Sequence, residues 1–553
     1  MEGYKSVIQQ EIKSPSITTL SLVFLVVVVV IGRKVFQARR QQALPPGPPR
    51  LPVIGNLHNA PKENEFLQWH SWSKALGPVI SMDFAGQPLV ILNNAQSAHE
   101  LLNKRAANYS GRPRSVMSEL MTKAPEGEST RFILLRPYDA TFRLHKRVLS
   151  AVEGTTVEHR YHKLQELESI QFMRDLLSDV KSGVAIDDKR MLLHLQRVQA
   201  SLLLGLSYGY RIPTTDDPVM KRTLEIHTEL NDMVTATHLV DIVPALKSLP
   251  SWLSPWKRAA HKFFDIEADL HVRNFEAAKS APGWNMAKKI LASSAAEGMS
   301  EFDVAYALGG NSEGGLETTP RGLMWLFIAA LAAKGQETDF VKRAQESLDA
   351  VVGRERFPTF ADRSKLPYID AIMLELLRWR PVAPTGVPHT AEGEDTYDGF
   401  RIPAGSFVIA NSWAIARDES VFGEKVEDFV PERWLKFDQV NERGRNWSKA
   451  SIRRELPTPA FGYGRRVCIG RHVAEDGIWI QVARLLWAFN IEKMSKELPV
   501  DTMEMRTHGF TINPGPFKMI LTPRDSLVQD VISREWDMAD KDIPTVLGGM
   551  DNE

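Results

Sequence analysis

The sequence predicts a mainly helical protein with a few small β-sheets. Apolar residues recur at helical spacing in four segments: 186–206, 321–334, 364–380 and 473–490. Strand-like patterns are confined to shorter segments, namely 79–93, 396–410 and 508–522, which turn residues such as Pro403-Ala404-Gly405 bound. Helical segments are therefore the more extensive, and the sheets that the strands form are expected to be small.

Composition excludes several classes of protein. The chain has 553 residues, of which 43% are hydrophobic and 25% are charged, as in ordinary globular proteins. Lys plus Arg and Asp plus Glu both number 68, so no net charge points to nucleic acid, and none is expected as a partner. The single cysteine excludes an intrachain disulfide and a multi-cysteine zinc site, and it favours a reducing compartment.

The N-terminal region predicts a transmembrane anchor over residues 14–32. This segment carries no charge and contains the run Val26 to Val30. As a helix it would be about 28 Å long, close to the hydrocarbon thickness of a bilayer. A cleaved signal peptide is the alternative, but no small-residue cleavage pattern follows. Four positive charges follow the apolar run, namely Arg33, Lys34, Arg39 and Arg40. Because positively charged flanks stay on the cytosolic side of a membrane, the main body is expected in the cytosol.

The rest of the chain divides into a linker, a body and a tail. Residues 33–58 are basic and then rich in proline, which favours an extended and stiff spacer. Residues 59–523 carry the helical and strand patterns of the main body. Residues 524–553 have mixed charge and little periodicity, and we interpret them as a surface tail.

The only cysteine, Cys468, lies in an unusual setting. Glycines on both sides, among them Gly464 and Gly470, allow tight turns and close approach of a flat ligand. Arg466 and Arg471 flank the cysteine and favour its thiolate form. An apolar helical pattern starts just downstream, so the positive end of a helix dipole would face the sulfur. A cysteine that only fills space does not need these neighbours.

This segment resembles the haem-binding signature of the cytochrome P-450 family. Five residues match at the spacing of the signature: Phe461, Gly464, Arg466, Cys468 and Gly470. The resemblance implies the cytochrome P-450 fold and haem b as cofactor, with Cys468 as the iron ligand. It also implies that Arg466 pairs with a haem propionate and that Phe461 packs beside the sulfur. A thiolate ligand donates electron density to iron and favours cleavage of the O–O bond.

A second motif resembles the structural core triad of the same family. Glu375 and Arg378 are three residues apart in a helical pattern and share a face, so they can pair. Arg433, in Pro431-Glu432-Arg433-Trp434, resembles the third member. The implied role is to lock the scaffold around the cysteine loop, not to take part in catalysis.

Glu317 and Thr318 form an acid followed by an alcohol, within Gly314-Gly315-Leu316-Glu317-Thr318-Thr319-Pro320. Such a pair can order water and relay protons. The alternative is that Thr318 caps a helix whose first residues include Pro320. Beside the cysteine loop, the segment resembles the oxygen-activation motif of the family, which assigns both residues to catalysis.

Further contacts to the haem are implied by the family layout. His389 corresponds to a propionate contact. Members of the family usually carry Trp-x-x-x-Arg on a helix near residue 140, whereas this chain has Phe142 and Lys146 at those two positions. A contact to a propionate from His145 or Lys146 is the corresponding expectation.

The implied activity is that of a haem-thiolate monooxygenase, which inserts one oxygen atom from O₂ into a lipophilic small molecule. The resemblance is greatest to fungal microsomal members of secondary-metabolite pathways. It implies a single-pass protein of the endoplasmic reticulum membrane that receives electrons from NADPH through a reductase. Four basic residues could form a docking face for that reductase, or they could simply be solvated surface charges. These residues are Lys146, Arg147, Arg465 and Arg471.

Three alternatives stay open at this point. A haem-thiolate isomerase or dehydratase needs no external electrons, but the presence of Glu317 and Thr318 argues against it. A monooxygenase that detoxifies foreign compounds and a non-enzymatic haem carrier are the other two. Four segments are expected to line the substrate pocket, judging by the family layout: 110–136, 225–245, Pro384–Val387 and His508–Ile512.

Overall fold

The computed structural model describes residues 44–154, 158–336, 339–437, 450–494 and 500–548. The predicted anchor at 14–32 and the first part of the predicted linker, 33–43, lie outside these residues. Within the described chain, no helix is both long enough and apolar enough to cross a bilayer.

Helices dominate the described chain, as the sequence predicts. The first nine are α1 (Glu65–Leu76), α2 (Ala95–Ala98, continued by π-helical His99–Lys104), α3 (Val116–Met121), α4 (Ala140–Glu153), α5 (His162–Lys181), α6 (Asp188–Tyr208), α7 (Pro218–Thr235), α8 (Leu239–Ile242) and α9 (Pro255–Ser280). The others are α10 (Met286–Leu291), α11 (Glu301–Ala333), α12 (Phe340–Val351), α13 (Pro367–Trp379), α14 (Ser412–Ile415), α15 (Glu419–Phe422), α16 (Arg471–Ala488), α17 (Ser526–Met538) and α18 (Ile543–Leu547).

The strands form small sheets at the edges of this helical body. One sheet has the order β1-β2-β7-β4, in which only the β2–β7 pair is parallel. A second has the order β10-β13-β3, and three further pairs are β11-β12, β5-β6 and β8-β9. The bounds are β1 (Val79–Phe84), β2 (Gln87–Leu92), β3 (Ile186–Asp187), β4 (His389–Thr390), β5 (Asp395–Tyr397), β6 (Phe400–Ile402), β7 (Phe407–Ala410), β8 (Leu435–Lys436), β9 (Ser451–Ile452), β10 (Phe489–Lys493), β11 (Met505–His508), β12 (Thr511–Pro514) and β13 (Lys518–Pro523).

The long helix α11 runs through the centre of the molecule. It begins after Ser300, whose hydroxyl accepts a hydrogen bond from the backbone N–H of Asp303, and it continues through Pro320 to Ala333. The predicted helix 321–334 is only its second half, because glycines and a proline hide the periodicity of the first half. Thr318 lies inside this helix, so the alternative that it caps a helix at Pro320 is wrong.

The cysteine loop is fixed between α16 and the π-helical turn after α2. Gly470 immediately precedes α16, which is buried along most of its length. Gly464 has a φ of +55°, and a Cβ there would collide with the carbonyl oxygen of Leu102. Its N–H donates to Asn103 Oδ1 at 2.7 Å. Only glycine fits this position, and the contact holds the loop at a fixed height above α16.

The described part of the predicted linker is bound to the body. Ser81 donates two hydrogen bonds to this segment. Its backbone N–H donates to the carbonyl oxygen of Pro46, and its hydroxyl donates to the carbonyl oxygen of Pro45. Asn56 donates to the carbonyl oxygen of Pro48 at 3.2 Å, and Leu44 is buried. From Leu44 onward the segment is therefore part of the body and does not act as a spacer.

The interpretation of residues 524–553 as a surface tail is wrong for the described part, which ends at 548. Helix α17 buries Val528, Val531 and Ile532 in the main core, and α18 buries Ile543 and Leu547 in a second cluster. These apolar residues follow helical spacing, but the charged residues between them obscure it.

Candidate active site

A cavity of about 470 Å³ separates the cysteine loop from α11. The loop contributes residues 459–463 and 465–470, and α11 contributes a row that includes Gly310, Gly314 and Thr318. All four segments that the sequence assigns to the pocket take part in the rest of the wall, and so do the helices α4, α6 and α13. The wall is mostly apolar, which suits a flat aromatic cofactor and a lipophilic substrate.

The sulfur-bearing side of the cavity is formed by Cys468 and its loop. The backbone N–H of Cys468 donates to the carbonyl oxygen of Phe461 at 2.9 Å, which closes the loop around the side chain. Burial raises the pKa of the Cys468 thiol to about 11, and the nearby Glu153 acts in the same direction. The N–H of Gly470 and the charge of Arg471 lower it by less. Arg471 therefore favours the thiolate as predicted, but burial outweighs it for the thiol by itself, and a bound metal would favour the thiolate further.

Glu153 was not predicted from the sequence. It ends α4, lines the cavity, and accepts a hydrogen bond from Asn311 Nδ2 of α11 at 2.7 Å. Burial raises the pKa of this carboxyl group to about 7. The contact ties α4 to α11 beside the cysteine loop.

The opposite wall is the middle of α11. A Cβ built at Gly310 or Gly314 would meet no atom within 4 Å, so the cavity reaches the helix backbone there. The hydroxyl of Thr318 donates to the carbonyl oxygen of Gly314 at 3.4 Å, a long hydrogen bond one turn back. Because this bond is weak, the hydroxyl can also donate into the cavity.

Glu317 is held between the cavity and an outer cleft. Its carboxylate pairs with Arg321 at 2.8 Å, and the imidazoles of His227 and His508 lie 3.8 and 3.5 Å away. The same side chain lines the cavity and a separate open cleft of about 480 Å³, together with Gln196 and Lys221. A carboxylate in this position can exchange protons with solvent on one side and with the cavity on the other.

Positive side chains gather at one edge of the cavity. Arg466 donates to the carbonyl oxygens of Ser110 and Arg136, and His389 donates to that of Tyr109. Arg112, which was predicted only as part of the pocket segment 110–136, donates to the carbonyl oxygens of Leu134, Val387 and Pro388. Among the described residues, none of the three side chains pairs with a carboxylate.

This positive edge shifts the pKa values of its members. Burial, and secondarily the charge of Arg466, lowers the pKa of Arg112. Burial lowers the pKa of Arg466 to about 10 and that of His389 to about 3. The two guanidinium groups stay charged and lack a counter-charge in the described chain, which indicates that an anion belongs beside them, whereas His389 is neutral without such an anion.

The helix that departs from the family pattern, α4, contributes two of its three expected residues. Phe142 lies under the guanidinium of Arg466, 3.9 Å from its ring centroid, and Lys146 lines the cavity and donates to the carbonyl oxygen of Arg465 at 2.7 Å. His145 points elsewhere: it is buried and does not line the cavity, and burial and Arg136 lower its pKa. The expected propionate contact from His145 is therefore wrong, because the helix turns that residue away from the site.

The structure brings together the three residues of the expected core triad. Glu375 accepts bidentate hydrogen bonds from Arg378 at 2.7 and 2.8 Å and a further one from Arg433 at 3.1 Å. Trp434 Nε1 and the backbone N–H of Val430 also donate to this carboxylate. The group is buried and does not line the cavity, so its contribution is to the scaffold.

The residues around the cavity fit haem b. A cysteine sulfur faces the interior, glycines on α11 leave room for a flat ring, and the uncompensated cations suit two propionates. Together these features define a haem-thiolate protein.

Comparison with known families agrees with this class. The family model described as Cytochrome P-450 matches residues 45–521, so the chain belongs to the cytochrome P-450 family. Cytochrome P-450 monooxygenase aneD of Aspergillus aculeatus is 34% identical over 96% of this chain and 97% of its own length. Echilunin cytochrome P-450 monooxygenase of Aspergillus ruber is 31% identical over 97% of this chain and 96% of its own length.

Solved structures of the same fold include a zebra fish cytochrome P-450 with progesterone. It matches with a TM-score of 0.66 and 23% identity, covering 83% of this chain and 99% of that one. The same fish enzyme with abiraterone gives a TM-score of 0.65 at 22% identity, covering 83% of this chain and 100% of that one. The fold is therefore that of the family, and the protein is a haem-thiolate monooxygenase with haem iron as cofactor and a reductase as redox partner.

Proposed function

We propose that Cys468 is the ligand of the haem iron, and that Arg112, Arg466 and His389 bind the haem propionates. The observation that carries this assignment is the pair Arg112 and Arg466, which the described chain leaves without carboxylates. An anion beside them would also favour the protonated form of the neighbouring His389. Lys146 reaches the same cavity and would add a further contact. Bound haem supplies the activation of O₂, for which its thiolate ligand donates electron density to the iron.

Glu317 and Thr318 deliver protons to the cavity in this proposal. Glu317 lies between the outer cleft and the inner cavity, and its pairing with Arg321 holds the carboxylate at that boundary. Thr318 lies on the cavity side, where its weakly bound hydroxyl can pass a proton onward. Proton transfer by positioned side chains of this kind contributes about 10²–10⁴-fold to rate.

The substrate is a lipophilic small molecule, and we place the reaction in fungal secondary metabolism. The support is the name of a fungal relative, which assigns that protein to echilunin, together with the mostly apolar cavity.

We place the enzyme on the endoplasmic reticulum membrane, with residues 14–32 as its single anchor. Two regions of the described surface support contact with a bilayer, because they expose large apolar side chains outside any core. One comprises Leu239, Ile242, Val243, Trp252 and Leu253, and the other comprises Leu51, Val53, Ile54 and Leu57.

A basic face for the reductase is part of the proposal. Arg147 and Arg465 are exposed. Arg147 lies on helix α4, and Arg465 lies in the cysteine loop. Charge reversal at Arg147, which does not line the cavity, should slow reduction by the reductase and weaken its salt dependence, while haem binding is unchanged.

The decisive experiment compares Cys468→Ser with the wild type in membranes that contain a reductase. The reduced wild-type protein should give the red-shifted Soret band of thiolate-bound haem with carbon monoxide, and should consume NADPH and O₂ in step. Cys468→Ser should lose both. A wild type with that band but no consumption of NADPH with any substrate would favour an isomerase or dehydratase. A wild type without the band would favour a protein outside haem-thiolate chemistry.

Thr318→Ala tests the proton route within the same assay. It should keep the carbon monoxide band and the consumption of NADPH, but yield about 10-fold less product per NADPH. Thr318→Ser keeps a hydroxyl and should restore coupling. If both variants couple as well as the wild type, Thr318 is not in the proton route.

A further inference from the structure

Two carboxyl groups and a histidine meet between α9 and α11, outside the proton route. Glu267 and His271 lie one turn apart on α9, and Glu313 faces them from α11. One oxygen of each carboxyl group and one nitrogen of the imidazole all lie within 4.8 Å of one another. The exposed fractions of Glu267, His271 and Glu313 are 0%, 2% and 2%. The hydroxyl of Tyr306 donates to Glu267 and closes one side of this group, which we call the acidic cluster.

The acidic cluster is not satisfied by the described chain. Both carboxyl oxygens of Glu313, Oε1 of Glu267 and Nε2 of His271 have no hydrogen-bond partner there. Nor does any described lysine or arginine pair with either carboxyl group; the nearby Arg131 is engaged with Asp303 and with backbone carbonyl oxygens. Buried polar groups without partners are rare in native proteins, and they indicate that a ligand completes the set.

The glycines of α11 shape this region. A Cβ at Gly309 would collide with the ring of His271, so glycine is what admits the histidine against the helix. Gly310 and Gly314 face open space in the cavity. His271 is thereby held edge-on against Tyr306, with ring centroids 5.2 Å apart, while Glu313 and Tyr306 both line the cavity wall.

Glu313 differs from the other carboxyl groups on the described cavity wall. Glu317 pairs with Arg321, and Glu153 accepts a hydrogen bond from Asn311. Glu313 has no cation beside it in the described chain: the imidazole of His271, 3.8 Å away, is neutral because burial lowers its pKa to about 3, and the other neighbour of Glu313 is the carboxyl group of Glu267. Glu313 is the member of the acidic cluster that lines the cavity, so a ligand in the cavity is the partner nearest to it.

An ammonium group is a partner that suits this site. Burial raises the pKa of Glu267 and that of Glu313, the latter to about 8, so both carboxyl groups favour the protonated, uncharged form when no cation is present. A cation beside Glu313 favours the ionised carboxylate, and a protonated amine supplies that charge together with a hydrogen-bond donor to a carboxylate oxygen.

We propose that Glu313, backed by Glu267, binds a protonated nitrogen of the substrate, so that the enzyme acts on lipophilic amines. This inference rests on the proposed function, because it assigns the substrate class of the same cavity. The apolar remainder of the substrate would pack on side chains that line the same wall, among them Leu203, Leu230 and Val234.

The test uses two probes of the same shape, a phenyl-substituted N-methylpiperidine and the carbocycle in which a C–H replaces the nitrogen. Binding of each to the haem-loaded, full-length protein is measured by equilibrium dialysis, which does not depend on a shift of the haem spectrum. The wild type should prefer the amine. Glu313→Gln should bind the amine about 30-fold more weakly and bind the carbocycle as the wild type does. Glu267→Gln should also reduce the preference.

Ser312→Ala is the matched control, because Ser312 is buried beside Glu313 but pairs with Ser207 and does not line the cavity. It should leave the binding of both probes unchanged. The carbon monoxide spectrum of each variant is recorded in parallel, so loss of the thiolate band identifies a failure of the proposed function itself. If Glu313→Gln does not load haem, Glu313→Asp, which keeps the charge, serves in its place and should retain the preference for the amine.

Two outcomes would overturn the inference. One is an amine preference that is equal in the wild type and Glu313→Gln, with both proteins haem-loaded. The other is a stoichiometric zinc or manganese content in the purified wild type that Glu313→Gln lacks, because the acidic cluster would then be a metal site.

Discussion

Glu375 and Glu313 are both buried carboxyl groups, on two helices that contact each other, yet their surroundings are opposite. Glu375 receives two arginine side chains, an indole N–H and a backbone N–H. Glu313 receives no hydrogen bond from the described chain. Helices α13 and α11, which carry them, pack side by side. The difference separates a charge that serves the scaffold from a charge that awaits a ligand.

The same contrast holds for buried arginines. Arg378 pairs with Glu375, whereas Arg112 and Arg466 at the cavity donate only to backbone carbonyl oxygens. Glu313, Arg112 and Arg466 all lie on the cavity wall. A missing counter-charge does not mark that wall by itself, because the buried Arg484 also donates only to backbone carbonyl oxygens and lies away from the cavity. It is the combination of a missing counter-charge and a place on the wall that indicates where cofactor and substrate bind.

The largest expected effect on stability comes from the scaffold carboxylate, Glu375. Glu375→Gln leaves Arg378 and Arg433 buried without a counter-charge, and it should lower the free energy of unfolding by about 3–5 kcal/mol. Glu313→Gln leaves no cation unpaired and should cost far less at neutral pH. Urea unfolding of both variants, followed by far-ultraviolet circular dichroism, measures the two costs. Equal costs would mean that Glu313 is also a scaffold residue.

A second prediction uses the pH dependence of stability. The pKa of Glu313 is raised by burial from 4.5 to about 8 in the folded protein. The folded state therefore holds a proton that the unfolded state releases, and the free energy of unfolding should fall as pH rises from about 5 to about 8. Burial also raises the pKa of Glu267, Tyr306 and Tyr208, and lowers that of His271 to about 3. Glu313, with its pKa of about 8, is the group of this cluster to which we assign the fall.

Glu313→Gln should flatten this part of the stability profile. The experiment compares urea midpoints of the wild type and the variant from about pH 6 to about pH 9, and takes the difference between them. Glu153, whose pKa is also raised, is present in both proteins, and its contribution cancels. Parallel profiles for the two proteins would contradict the assignment of a raised pKa to Glu313.

A third prediction concerns the unpaired cations. Arg112→Leu should release haem about 10-fold faster, because a propionate loses a charged hydrogen-bond donor. Arg484→Leu is the matched control: Arg484 is equally buried and donates to the carbonyl oxygens of Pro358 and Glu166, but it does not line the cavity. Transfer of haem to apomyoglobin, well below the unfolding temperature, measures the rate. Similar acceleration in both variants would show that Arg112 acts only through stability.

Local patterns in the sequence predicted the parts of the site that are local in the chain. The cysteine loop and the pair Glu317-Thr318 each lie within one short segment, so spacing alone identifies them. The acidic cluster was missed because Glu267 and Glu313 are far apart in sequence and meet only when α9 packs on α11. The contacts of Arg112 were missed for the same reason, since its three acceptors belong to two distant segments.

The fold shows the same limit. The helices α6, α13 and α16 were predicted within a few residues, because their apolar faces repeat regularly. The first half of α11 was missed, because its glycines serve the cavity and the packing of His271, and they weaken the helical pattern. Helix α17 was taken for a tail although Val528, Val531 and Ile532 show helical spacing, because its other residues are mostly polar.

The smallest expected effect is that of replacing His145 on α4. His145 is buried beside the cavity helix, but its side chain does not line the cavity and its Nδ1 has no hydrogen-bond partner in the described chain. Burial and the nearby Arg136 lower its pKa, so it is already a neutral group. His145→Leu should therefore change the free energy of unfolding by less than about 1 kcal/mol and leave the rate of haem transfer at the wild-type value. If His145→Leu released haem faster, as is expected for Arg112→Leu, then His145 would contact a haem propionate despite the orientation of α4.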